Sequence, residues 1–387
     1  MNGPRPKRAN GEGSLYRRSD GHWVAQVDLG WQNGRRKRKY VSARTRTEAH
    51  TKLRAILTER DRGLVSTARP MKVKDWFETY RTEVAPSRQR VSTLERLDDT
   101  IRLHITPVIG HHRLDQLKPM HLVALYNAKT GAGLAAATVR QIHAIIRRAL
   151  AVAVKWQLVT QNVATLVDPP SVPRIEVEPL TSTEAQKLLQ AALGGRNEAR
   201  WIVGLALGLR QGEVLGLWWD DIDLDAGTLR VRRALQRQRA KGLVFTEPKT
   251  ARSRRTVSLP APLVDALRAH RSRQLQERLL AGSMWKGVDC VFTTECGAPI
   301  DPRNDYRMFK ELLVQAGLRE VRLHDLRHTA ASLLLLQGVA PRVVMEVLGH
   351  SQISLTMNTY SHVVPELKRD AADRMGEVLW RHALRDA

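Results

Sequence analysis

The chain has 387 residues, 42% of them hydrophobic, and 63 Lys+Arg against 39 Asp+Glu give it a formal net charge of +24. That hydrophobic content can build cores, which excludes a disordered basic tail, and the length suits two or three domains. So large a positive charge on a foldable chain points to a polyanion, with nucleic acid the default partner. Composition alone does not separate a DNA enzyme from a repressor or a ribosomal protein. The two cysteines, Cys290 and Cys296, offer no zinc-ligand spacing and no disulfide framework, and they read as buried thiols. The basic N-terminus (Arg5, Lys7, Arg8) leads into no apolar run, and no segment has the composition of a membrane span. The sequence therefore predicts a protein that stays in the cytoplasm with the chromosome.

The charge is uneven along the chain. Residues 1–46 hold 12 Lys+Arg against 3 Asp+Glu, residues 71–165 hold 14 against 7, and residues 166–387 hold 32 against 26. The first stretch, 1–65, reads as a small three-stranded sheet followed by a helix. Asp20-Gly21 and Asn33-Gly34 are hairpin turn pairs. Between them Trp23, Ala25, Val27 and Leu29 alternate with His22, Val24, Gln26 and Asp28, a period near two. The third strand then holds Arg35, Arg36, Lys37, Arg38 and Lys39. Five consecutive cations exceed what protection of a sheet edge requires, and they predict a ribbon that contacts DNA. Thr45 and Glu48 form a capping box, and Ala49, Leu53, Ile56 and Leu57 mark one helical face.

After a break at Gly63–Pro70, residues 71–165 read as a helical bundle. Val73, Trp76, Phe77 and Tyr80 share one face, and Leu94, Leu97, Ile101 and Ile105 another. Pro107 and Gly110 interrupt the pattern, which resumes over 119–128 and 134–156 with Ile142, Ile145, Ile146 and Ala149 at helical spacing. Arg140, Arg147, Arg148 and Lys155 fall on outer positions, where the overall charge favours contacts with a phosphate backbone. Residues 166–179, with four prolines, form a semi-extended linker. The last domain, 180–387, opens on a second capping box, Thr181 and Glu184, with helices over 182–193 and 197–209. A hairpin with the basic turn Pro248-Lys249-Thr250 joins β-type runs 242–247 and 254–259, and helices follow at 302–316, 325–337, 341–348 and 352–360.

Several polar residues in this last domain stand where a purely structural sequence has no need of them. Arg210, in Gly208-Leu209-Arg210-Gln211-Gly212-Glu213, sits between an apolar helix and the next helix start. His324 and Arg327 are three apart, on one face. His350 follows Leu348-Gly349, and Ser351 caps a short helix ending on Thr359-Tyr360. In the order Arg, Lys, His-x-x-Arg, His, Tyr, these segments resemble the signature boxes of the tyrosine recombinase (phage integrase) family, over roughly 174–370. A lone tyrosine or a lone His-x-x-Arg would mean almost nothing; five separated boxes agreeing in order are specific. Residues 71–165 resemble the family's core-site-binding, SAM-like domain, and residues 11–60 the small arm-site-binding domain of phage and integrative-element integrases. The fold so implied is multidomain and mainly α with small β-sheets: a three-stranded sheet plus helix, a helical core-binding bundle, and a mixed α+β catalytic domain.

What the resemblance implies for chemistry can be stated residue by residue. Tyr360 is the nucleophile, forming a 3′-phosphotyrosine link and freeing a 5′-hydroxyl. The bond energy is conserved, so no ATP is needed, and no phosphate-binding loop with Gly-Lys-Ser/Thr is present in the sequence. Arg210 and Arg327 fork onto the non-bridging phosphate oxygens. Lys249 protonates the departing 5′-oxygen, although Lys241, Arg252, Arg254 and Arg255 crowd the same hairpin. His324 assists proton transfer at Tyr360, His350 hydrogen-bonds the phosphate, and Glu213 orients its neighbours. No metal and no other cofactor is implied. The implied partners are double-stranded DNA at core and arm attachment sites, three further copies of the chain in a homotetramer that passes through a Holliday junction, an excisionase and a host DNA-bending protein. Leu379 and Trp380 are expected to pack on a neighbouring protomer.

Other readings stay open at this point. A chromosome or plasmid dimer resolvase uses the same chemistry, but the basic N-terminal ribbon argues against it. A metal-dependent transposase needs spaced carboxylates. Asp220, Asp221, Asp223 and Asp225 are the nearest approach and read better as an acidic turn leading into a strand. A non-catalytic DNA-binding regulator has no need of the full set of boxes. The adjacent His111 and His112 lack carboxylate or thiol company and read as a surface turn.

Overall fold

The computed structural model describes residues 13–32, 35–61, 71–173, 178–247 and 254–349, together with Ala372 and Met375. The chain divides into two compact units, Met1–Pro173 and Arg174–Ala387.

In the first unit, β1 (Ser14–Arg17), β2 (Trp23–Gln32) and β3 (Arg35–Ala43) form an antiparallel sheet in the order β1-β2-β3. Period two does its work here: Ala25 and Val27 are buried against Leu53 and Ile56 of α1 (Arg46–Asp61). One arm of the expected capping box forms, the Glu48 N–H donating to Thr45 Oγ1 at 3.2 Å, while the Glu48 carboxylate reaches Lys52 at 2.7 Å. The pleat also divides the basic run. Arg36, Arg38 and Tyr40 are exposed, whereas Lys39 is half-buried and lies opposite the core residue Val27. Lys39 therefore belongs to the helix-facing side of the sheet, not to the outward ribbon expected of it.

The helical part comprises α2 (Val73–Thr79), α3 (Val91–Thr100), α4 (Thr106–Ile109), α5 (Pro119–Gly131) and α6 (Ala136–Lys155), around a core that includes Trp76, Phe77, Ile105, Leu122 and Ile146. Pro107 does not interrupt as the sequence suggests. A wider π-helical turn, Ile101–Ile105, carries α3 directly into α4. Proline has no N–H for the carbonyl four residues back. Here that carbonyl, on Leu103, accepts from Lys129 Nζ at 3.4 Å.

The second unit opens with α7 (Ser182–Ala192), whose capping box between Thr181 and Glu184 forms in both directions. Next come α8 (Glu198–Ala206) and α9 (Gln211–Leu215), then the strands β4 (Ile222–Asp223), β5 (Thr228–Val231), β6 (Ala234–Gln238), β7 (Gly242–Thr246) and β8 (Arg255–Ser258). The runs 242–247 and 254–259 are not one hairpin, contrary to expectation. β7 closes a tight local hairpin with β6, while β8 adds to β4-β5 and places Val257 opposite Leu229 in the main core. Hairpin closure over a short loop costs less entropy than the longer connection, and it leaves β8 to bury its apolar face elsewhere.

The unit is completed by α10 (Ala261–Ala281), α11 (Pro302–Gln315), α12 (Asp325–Leu336) and α13 (Pro341–Leu348). The sequence reading assigned no helix over α10. Its inward stripe begins with Leu263, Val264 and Leu267 but continues with His270 and Gln274, buried polar residues that erase the apolar period. Gln274 joins Trp219 Nε1 at 2.7 Å and the Cys290 carbonyl at 3.0 Å. Cys290 itself is buried, and burial pushes its thiol up to about 12. Cys296, expected to be buried as well, is only half-buried. Among the described residues no helix is long and apolar enough to cross a membrane.

A buried ion pair ties α8 to α11. Arg200 donates to both oxygens of Asp305 at 2.7 and 2.8 Å, and the two side chains are 1% and 0% exposed. Gln211, the first residue of α9, adds its amide to Asp305 at 2.9 Å and to the Pro302 carbonyl at 2.7 Å. Removing one partner strands a charge in a dry interior, a cost of about 3–5 kcal/mol. Asp305→Ala should lower the stability of this unit by that amount in urea denaturation, and a loss below about 1 kcal/mol would mean the pair is dispensable.

Candidate active site

The site begins where α8 ends. Gly208 takes a left-handed φ of +58°, and a Cβ there would sit 2.4 Å from Leu348 Cδ2. Only glycine makes this turn while α13 stays close. The turn delivers Arg210 to the N-cap of α9, where its N–H and Nη1 donate to the two oxygens of Glu213 at 3.1 and 2.6 Å. Glu213 is only 3% exposed and takes a third bond from Arg255 Nη2 at 3.1 Å. Burial alone would push its carboxyl up, but the charges of Arg255 and Arg210 outweigh burial and hold it below the ordinary range.

The opposite wall is the C-terminus of α13. The last carbonyls of a helix have no internal partner and carry the negative end of its dipole. Here three in succession are taken by three arginines from distant parts of the chain. Val347 O accepts from Arg255 Nε at 2.6 Å, Leu348 O from Arg327 Nη2 at 2.6 Å, and Gly349 O from Arg210 Nη2 at 3.2 Å. Arg327, 2% exposed, also donates Nη1 to the Gly208 carbonyl at 2.8 Å, closing the ring. Gly349 ends the helix in the left-handed conformation, φ +68°.

His324 stands at the N-cap of α12, and its residue surface is exposed on one side. Desolvation by the surrounding protein holds its pKa below the ordinary imidazole range, with Arg327 and Arg210 acting the same way and Asp325 opposing them. Asp325 is itself pinned by Arg322, whose Nη2 lies 2.9 Å from Oδ1. His328, edge-on to His324 at 5.1 Å, is pushed down to about 4, chiefly by burial and then by its histidine neighbour. Burial and the neighbouring cations thus disfavour the charged form of both imidazoles.

Of the expected site residues, the structure therefore brings together Arg210, Glu213, His324 and Arg327. Lys249, His350 and Tyr360 lie outside the described residues, as do the side chains of Arg35 and Lys37 and the tail residues Leu379 and Trp380. Arg140, Arg147 and Arg148 are exposed on α6, as expected. Arg255 was singled out only as one of a basic crowd, yet its side chain is 7% exposed and central to the site. The available signal was strand period: Arg255 is two residues before Val257, hence on the same inward face.

The acidic run is structural. Asp221 is buried and paired with Arg233 at 3.0 Å, and Asp223 caps the turn through the N–H groups of Asp225 and Ala226. Among the described residues no cluster of His, Cys, Asp or Glu is arranged to hold a metal ion. His111 and His112 have a third imidazole for company, His121, stacked on His112 at 4.0 Å.

A mainly helical chain with small antiparallel sheets and three arginines gathered on a helix C-terminus defines a class that comparison with known proteins specifies. Residues 178–366 match the Phage integrase family, and residues 72–130 match the phage integrase N-terminal SAM-like domain. An integrase of Saccharopolyspora erythraea is 33% identical, with 98% of this chain and 99% of the relative aligned. A XerC-like tyrosine recombinase of Caldanaerobacter subterraneus subsp. tengcongensis is 31% identical, over 90% of this chain and 93% of its own. In fold, the chain resembles residues 82–397 of the Tn1549 transposon integrase in complex with a circular intermediate DNA, with a TM-score of 0.65 at 20% identity, covering 79% and 99% of the two chains. It also resembles lambda integrase, seen as a tetramer bound to a Holliday junction, with a TM-score of 0.55 at 17% identity, covering 91% and 96%. The chain belongs to the phage integrase family and is a tyrosine-type site-specific recombinase.

The depressed imidazoles have a measurable consequence. An unfolded histidine takes up its proton near pH 6.5, whereas folded His328 does so only near 4. Between these values the unfolded state binds more protons, so stability should fall as pH is lowered from about 6.5 towards about 4. Urea midpoints across that range should show a shallower slope for His328→Gln, and an unchanged slope would refute the assignment.

Proposed function

We propose that the chain is the integrase of a phage or other mobile element. It cuts DNA at attachment sites through Tyr360, forms a 3′-phosphotyrosine, and exchanges strands by way of a Holliday junction. The observation that carries this reading is the cluster of Arg210, Glu213, Arg255 and Arg327 around the end of α13, with His324, its pKa lowered chiefly by burial, beside it. In sequence, that helix end leads straight to His350 and Tyr360.

In the reaction the Tyr360 oxygen attacks phosphorus, the new tyrosyl–phosphate bond forms and the bond to the 5′-oxygen breaks. The phenol proton passes to His324, and Lys249 donates a proton to the departing 5′-oxygen. Arg210 and Arg327 neutralise charge on the non-bridging oxygens, with His350 as a further donor; removing one such group costs on the order of 10²–10³ in rate. A 5′-hydroxyl from the partner duplex then attacks the phosphotyrosine, so neither ATP nor a metal takes part.

The domain assignments follow the same reading. Residues 71–165 grip the core site, with Arg140, Arg147 and Arg148 towards phosphates. Residues 1–65 bind arm sites through the basic strand that carries Arg35, Arg36, Lys37 and Arg38, with Arg36 and Arg38 outward. Residues 166–179 link these to the catalytic domain, 180–387. A homotetramer on DNA is supported by the likeness to lambda integrase, and trans packing of Leu379 and Trp380 would stabilise it. An excisionase and a host bending protein would govern excision, and the setting is the bacterial cytoplasm. A dimer resolvase is the second reading, favoured by the XerC-like relative and disfavoured by the basic sheet at the front.

On a nicked suicide duplex carrying the attachment core, the wild type should form a covalent adduct in EDTA without nucleotide. Tyr360→Phe should bind the duplex and form none; an adduct that persists in this variant would overturn the proposal.

A further inference from the structure

The interior of the site contains a cation that the chemistry above does not use. Arg255, on β8, is nearly enclosed, and burying a guanidinium is costly unless its donors are satisfied. Its Nη2 donates to the Glu213 carboxylate at 3.1 Å and its Nε to the Val347 carbonyl at 2.6 Å. One of these holds Arg210 and the other lies three residues before His350. The guanidinium also lies against the turn itself, since a Cβ on Gly349 would come within 2.9 Å of Arg255 Nη1.

We propose that Arg255 is a positioning residue for strand cleavage, acting through Glu213 on Arg210 and through α13 on the turn that leads into His350. It rests on the active-site reading given above. The physical reason is the sharing of one carboxylate. Glu213 divides its charge between two guanidiniums, so its hold on Arg210 is weaker than that of an undivided ion pair. Without Arg255, the whole charge of Glu213 falls on Arg210 and draws it away from a phosphate, while the α13 carbonyl loses its anchor. Arg255 touches no reacting atom in this account.

The test uses the full-length chain and single-turnover cleavage of the nicked duplex, with Arg255→Gln and Arg255→Lys. Lysine keeps a cation opposite Glu213 but cannot bridge both acceptors, so it supplies a folded comparison if the glutamine form does not fold. Both should bind DNA as the wild type does and cut about 10–100-fold more slowly, the usual effect of removing a supporting group. A duplex with a neutral methylphosphonate at the scissile position asks less of Arg210. On it the deficit of the Arg255 variants should shrink, in step with that of Arg210→Ala. A wild-type rate, or a deficit equal on both substrates, would overturn the proposal, because a merely structural role is blind to the charge of the phosphate. If Arg210→Ala itself cuts normally, the active-site reading falls and this proposal with it. If Arg210→Ala is impaired and the Arg255 variants are not, this proposal alone falls.

Discussion

Glu213 is a carboxylate almost without solvent, held at 2.6 Å by Arg210 and at 3.1 Å by Arg255. Arg255, its side chain 7% exposed, could not sit so deep without it, and Glu213 could not stay ionised without the two cations. From this pair of contacts the remaining geometry follows. Arg210 caps α9 and reaches Gly349; Arg255 reaches Val347; Arg327 fills the gap between, on Leu348 and Gly208. The end of α13 is thereby held by charge-assisted hydrogen bonds rather than by apolar contact alone. A helix C-terminus is a poor place for an anion but a good one for cations, so the same dipole that collects these arginines concentrates positive charge where a phosphate would bind.

Much of this arrangement was legible in the sequence, and the parts that were not have definite reasons. Arg210 and Glu213 stand three apart at a helix start, a local relation that spacing reveals. The grip of Arg327 on Gly208 and Leu348 spans 119 and 21 residues, and no local pattern encodes it. Period two found the first sheet because Ala25 and Val27 have a single apolar partner, α1. The pairing of β7 and β8 was misjudged because neighbouring runs look like a hairpin from sequence, while the choice of partner depends on which core each strand can cover. Buried His270 and Gln274 hid α10, and a π turn hid the continuity of α3 with α4. In each case a polar group or an irregular turn satisfied by tertiary contacts overrode the local rule.

The two ends of the chain hold charge in different ways. In the second unit some arginines are drawn inward and neutralised, as Arg200 is by Asp305 and Arg255 by Glu213. In the first, Arg38, Arg140 and Arg147 are left exposed to solvent. Exposed cations contribute little to stability and much to attraction of a polyanion, whereas buried ones organise a site and tolerate few substitutions. A recombinase that must hold DNA firmly and yet break it at one phosphate needs both arrangements in one chain.

The central claim is that the DNA becomes joined to Tyr360. Proteolysis of the covalent adduct with trypsin, followed by mass spectrometry, tests it most directly. The account predicts that the nucleotide mass resides on the peptide spanning 343–368 and fragments to Tyr360. Nucleotide found on another tyrosine, or on a serine, would contradict it.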